Sequence, residues 1–212
     1  MFKTKAGLAL ISLAVLAGCS REGELTAQGI TVVRSACPAV AVPVGTGDIT
    51  LFNPETSRNA DAIDVVAQIT NVRSTCNEAG EFITSEITFD VQAQRRNGAG
   101  AREVVLPYFV VGVRAGDNVL AKSLSRVSLR FEDGQLRTST TARASGEVRR
   151  SAATLPDAIR EQITRRRRPG DADAAVDPMA DPAVRAAVDR ANFELLVGFQ
   201  LTEDQLRYNV TR

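Results

Sequence analysis

The 212-residue chain predicts a mainly β protein: an antiparallel β-sandwich with short C-terminal helices and a last strand that returns to the sheets. Three observations predict it. From Thr31 to Arg150 apolar residues recur mostly at period two, the spacing of half-buried strands. Turn-forming residues interrupt that pattern about every 8–15 residues, and no βαβ alternation occurs.

In chain order, Met1-Phe2-Lys3-Thr4-Lys5 carries two positive charges, and Ala6 to Ala17 then runs without a charged residue. That is the layout of a secretory signal peptide. At about twelve residues the run is shorter than the roughly 20 a membrane-spanning helix needs. It ends in Leu16-Ala17-Gly18-Cys19, which resembles the lipobox of bacterial lipoproteins. The resemblance implies diacylglycerol on the Cys19 thiol, cleavage after Gly18 and acylation of the new amino group. The alternative is an ordinary signal peptide followed by an unrelated cysteine. Ser20 stands where the family's inner-membrane retention signal would be Asp, so the resemblance implies the outer membrane.

Residues 20–30 hold few apolar groups and two glycines, and read as a tether between lipid and fold. The net charge of +1 becomes −1 once Lys3 and Lys5 leave with the signal, and neither value points to nucleic acid. With Cys19 lipidated, Cys37 and Cys76 remain as an even pair in an oxidising compartment. A disulfide between them is the expectation; two buried thiols or one reactive thiol are the alternatives.

Val40–Val44 and Ile49–Phe52 are short strand candidates separated by Gly45-Thr46-Gly47-Asp48. Ile63, Val65, Ala67 and Ile69 alternate in a strand running toward Cys76, and Asn77-Glu78-Ala79-Gly80 turns the chain. Ile83, Ser85, Ile87, Phe89, Val91 and Ala93 then share one face of the next strand, predicting a hairpin. Val104–Val113 is nearly continuously apolar, as a strand covered on both faces would be. Val127, Leu129 and Phe131 alternate up to Asp133-Gly134, a strong hairpin signal, with Leu136 continuing the pattern beyond. The arrangement resembles an immunoglobulin or fibronectin type III module, although the chain lacks the buried tryptophan of true immunoglobulin domains.

The pattern changes near Ser151. Pro156 and Asp157 open a helix whose apolar stripe is Leu155, Ile159 and Ile163, with Arg165–Arg168 near its end where the dipole favours cations, and Pro169-Gly170 stopping it. Asp171–Asp181 reads as a loop. Asp181 caps a second helix that turns Val184, Ala187, Val188 and Ala191 inward. Phe193–Leu201 is strand-like, and Thr202 with Gln205 forms a capping box for a final short helix whose Leu206 and Tyr208 should pack over the sandwich edge. Gly198-Phe199-Gln200-Leu201-Thr202 resembles a stretch of uncharacterised proteobacterial lipoproteins.

The chain contains no histidine, which removes Ser-His and Cys-His catalysis and the commonest metal ligand. Lys122 has no serine three residues before it, since position 119 is valine. Asp171, Asp173 and Asp177 match positions 1, 3 and 7 of a calcium loop, but Val176 and Pro182 replace its glycine and glutamate, so no metal is expected. Paired carboxylates would suit a hydrolase, yet the 5% aromatic content offers little for stacking sugars. Arg165, Arg166, Arg167 and Arg168 are candidate contacts for an anionic surface, against the plainer reading of a solvated helix end.

The expected organisation is therefore a signal at 1–18, a lipidated tether at 19–30, a sandwich at 31–150, a helical and Asp/Pro-rich crossing at 151–192, and a strand with capped helix at 193–212. The expected function is that of a non-enzymatic binding or structural lipoprotein on the periplasmic side of the outer membrane. It is held by Cys19, needs no cofactor and meets a protein partner. An accessory subunit of an envelope transport or assembly machine is the alternative, and a carboxylate-dependent hydrolase a further one.

Overall fold

The computed structural model describes residues 35–211, together with the backbone of 24–26 and 29–31. Within the tether, β1 (Glu24–Thr26) and β2 (Gly29–Thr31) pair antiparallel with Leu25 opposite Ile30, where the sequence reads as an unpaired linker. They belong to a unit separate from the compact one that begins at Ala36. Cys19 and the signal lie outside the described residues.

The larger unit is a sandwich of two four-stranded sheets. One has the order β3-β10-β7-β8 and the other β4-β5-β6-β9. The strands are β3 (Ala39–Ala41), β4 (Asp48–Phe52), β5 (Ile63–Asn77), β6 (Phe82–Arg95), β7 (Arg102–Arg114), β8 (Asn118–Phe131), β9 (Arg137–Arg149) and β10 (Phe193–Phe199). All pairings are antiparallel except β3 with β10. Two pairings join strands three apart in sequence, β6 with β9 and β7 with β10, each within one sheet while the intervening chain crosses to the other and back. This is a Greek-key layout of immunoglobulin type, with the short parallel β3 standing where the final strand of such a fold would lie.

The alternation seen in the sequence becomes the core. Ile83, Ser85, Ile87, Phe89, Val91 and Ala93 are all buried, facing Val104, Leu106, Tyr108 and Val110 of β7 and Val127, Leu129 and Phe131 of β8. Phe89 and Tyr108 meet edge to face with centroids 5.2 Å apart. On β7 the opposite face is buried at Phe109, Val111 and Val113, while Val105 is half exposed, so double coverage holds only over the strand's second half.

The last strand does return: β10 lies between β3 and β7 and adds Leu195, Val197 and Phe199 to the core. Four residues of the Gly198–Thr202 stretch have identifiable structural tasks. A Cβ on Gly198 would stand 2.3 Å from Thr46 Oγ1, Phe199 is fully buried, and Gln200 N–H donates to the Pro107 carbonyl. Thr202 begins α4 (Glu203–Thr211): Gln205 N–H donates to its hydroxyl, and its own N–H donates to Gln205 Oε1. This helix packs on β4, where Tyr208 meets Phe52 edge to face at 5.1 Å and Asn209 Nδ2 donates to the carbonyls of Gly45 and Asp48.

Between β9 and β10 lie α1 (Arg150–Ala153), α2 (Asp157–Thr164) and α3 (Pro182–Ala191). Asp181 caps α3 by accepting from Ala183 N–H, and Val184 and Ala187 are buried as the helix meets α1 and β7. No helix among the described residues is long and apolar enough to cross a membrane.

Two expectations fail locally. Asp133-Gly134 does not close a hairpin, because β8 and β9 belong to different sheets and this segment crosses between them. Gly134 N–H donates to the Gly98 carbonyl, and Arg95 N–H to that of Leu136, drawing the chain onto the end of β6. Helix α2 stops at Thr164, so Arg166–Arg168 lie beyond it rather than in its last turn.

Candidate binding surfaces

The sulfurs of Cys37 and Cys76 are bonded to each other, tying the chain just before β3 to the end of β5 and so linking strands of the two sheets. The Glu78 carboxylate lies 3.1 Å from Cys37 Sγ. Cys37, Cys76 and Glu78 cluster as metal ligands would, but the disulfide consumes both sulfurs.

Arg95 occupies the next inward position after Ala93 on β6 and is 2% exposed. Its Nε donates to the Gln135 carbonyl, Nη1 to that of Gly100, and Nη2 to those of Gly98 and Glu132. Four oriented carbonyl dipoles and the Phe131 face surround the cation, which cross-links the 96–101 loop to the 132–136 crossing. The sequence reading passed over this residue, although its parity in the β6 alternation marks it.

Above this corner an open groove of about 1340 Å³ runs over the outer face of the β4-β5-β6-β9 sheet. Its floor comprises Gln68, Gln92 and Ser139, which stand opposite one another on three strands, with Gln94 and Arg137 beside them. Most of its charged rim is engaged: Arg102, outside the groove, forks onto Asp64 at 2.6 and 2.8 Å, Arg96 donates to the Ala60 carbonyl, and Arg137 to Gln94. No aromatic side chain lines the groove, so it offers hydrogen bonds without a stacking platform.

Further along the same face Asp90 accepts from Asn71 Nδ2 and Thr141 Oγ1, joining β5, β6 and β9. Asn71 holds φ at 53° in the bulge of β5, a backbone region that Asn tolerates. The Asn71 and Thr141 hydrogen bonds hold the Asp90 carboxyl below the usual carboxylate range, assisted by Arg73. Asp173 is also lowered: burial pushes it up, but Arg165 and Arg167 outweigh that. Both shifts run opposite to the raised pKa that a carboxylic acid catalyst uses.

The four candidate arginines divide. Arg165 and Arg167 pair with Asp173, and Arg167 is largely covered, whereas Arg166 and Arg168 are exposed. Asp171 accepts from Arg168 N–H, and Asp177 caps the 3₁₀ turn at Pro178–Ala180, so all three calcium-loop carboxylates are engaged.

Lys122 reaches back over the Phe109 ring, its Nζ 4.8 Å from the centroid. Among the described residues the sheet edges are β3, β4, β8 and β9. Together these features define a disulfide-tied Greek-key sandwich whose open surfaces, among the described residues, are sheet edges and a polar sheet face. No protein-family model, curated protein or solved structure matches the chain.

Proposed function

We propose that this is a lipid-anchored envelope protein, held through Cys19 on the periplasmic side of the outer membrane and acting by contact rather than catalysis. The observation that carries the reading is the lipobox Leu16-Ala17-Gly18-Cys19 behind a basic and then apolar leader. The Cys37–Cys76 bond supports it, since such bonds persist in oxidising compartments such as the periplasm. Two or more acyl chains would anchor the protein stably, at about 0.8 kcal/mol for each buried CH₂.

Its work as a binding or structural module is supported by the absence of histidine from the chain and by the engagement of its distinctive carboxylates. Sandwich edges present unpaired backbone groups that accept a partner's strand. Membership in a larger envelope machine is the second reading, and a protein partner bound at an edge would serve either.

Cell fractionation of the wild type and Cys19→Ser tests the anchor. The wild type should remain with membranes after a high-salt wash and the variant should be released. Equal distribution of the two would reject the reading. Crosslinking in membranes followed by purification would then separate a lone module from a subunit of fixed stoichiometry.

A further inference from the structure

We propose that the free edge of β8 takes an extended acidic peptide segment as an added strand, a proposal that rests on the contact-module reading above. The four edges are not equivalent. β3 is three residues long, β4 lies under α4, and β9 is held from the other sheet by Tyr108, whose hydroxyl donates to the Arg143 carbonyl at 2.7 Å. β8 runs for fourteen residues and ends its sheet.

From Asn118 to Arg126 every residue of β8 is exposed, including Val119 at 61% and Leu124 at 65%. Exposed apolar side chains on an unpaired strand are what an added strand would cover.

The charges select the occupant. Lys122 and Arg126 point from the outer face four residues apart, with Leu124 between them. Arg126 has no ion-pair partner among the described residues, whereas Arg130 is already paired with Glu132. In an antiparallel second copy centred on Leu124, Lys122 would face Arg126, and like charges directly opposite destabilise a strand pair. The bulge that leaves Leu120 without a partner on β7 further disfavours flat self-pairing. An incoming strand with acidic residues four apart and an apolar residue midway meets the same surface with complementary charge and buries Leu124.

The test uses the purified mature protein and two short synthetic peptides of alternating pattern, one with glutamates four apart around a leucine, the other with lysines in their place. The glutamate peptide should bind, weaken with salt and protect backbone amides of residues 119–126 from hydrogen exchange. The double substitution Lys122→Glu, Arg126→Glu changes only exposed side chains. It should lower glutamate-peptide affinity about tenfold and favour the lysine peptide. Absence of binding at low salt, protection confined to other strands, indifference to the charge reversal, or self-association through β8 would each overturn the proposal. The anchor is read separately by fractionation, so either proposal can fail without the other.

Discussion

The guanidinium of Arg95 lies 5.1 Å from the centroid of the buried Phe131 ring, and four main-chain carbonyls accept its hydrogen bonds. A cation at the end of β6 thereby fixes the place where the chain crosses from β8 in one sheet to β9 in the other.

Arg95→Met should therefore leave those carbonyls without their donors while roughly preserving volume. The expected loss is about 3 kcal/mol, read as a lower urea midpoint in equilibrium unfolding. Arg95→Lys should recover only part of it, because an ammonium cannot present the guanidinium fork. A Met variant as stable as the wild type would remove the corner from the account.

The returning strand makes a second prediction. Phe199 is fully buried in the centre of its sheet, so Phe199→Ala should cost about 3–5 kcal/mol, and removal of residues 193–212 should abolish cooperative thermal unfolding. A truncated chain that melts like the intact one would make the C-terminal segment an appendage.

The disulfide closes a loop of 39 residues, worth about 4 kcal/mol in the chain-entropy treatment. Thiol titration of the unreduced protein should find neither Cys37 nor Cys76, and Cys76→Ser should lower Tm markedly. Two titratable thiols from this pair would contradict the fold as described.

The pH dependence has a definite sign at Asp90. Its carboxyl is held below the ordinary range in the folded state, so the ionised form stabilises the fold above about pH 4. That contribution disappears as pH falls through the folded-state value. Asp90→Asn should weaken the fold near neutrality and reduce its loss of Tm between neutral pH and pH 3. An unchanged acid slope in the variant would show that the Asn71–Asp90–Thr141 clamp is not linked to folding.

Much of this architecture is legible in local pattern. The alternation from Ile83 to Ala93 places six residues inward, even the polar Ser85, because a strand's faces follow from period alone. The capping box at Thr202 is equally local, and both of its hydrogen bonds form. What failed depends on distant partners. Asp133-Gly134 has the chemistry of a hairpin turn, but carbonyl and amide groups from the 95–100 region direct the chain to β6. The dipole of α2 favours cations near its end, but Arg165 and Arg167 are drawn to Asp173, a partner outside that helix. Arg95 sat at an inward position, yet its burial needed carbonyls from 98–100 and 132–135 that no short window displays. Edges likewise emerge only from the full strand order: nothing within residues 118–126 announces that no described strand lies beyond them.

The most direct test of the central claim is the mass of the N-terminal peptide from membrane-extracted protein. The account predicts a chain beginning at Cys19, carrying diacylglycerol on its sulfur and a further acyl group on its amino nitrogen. A mature protein whose N-terminus lies elsewhere, or an unmodified Cys19, would contradict it.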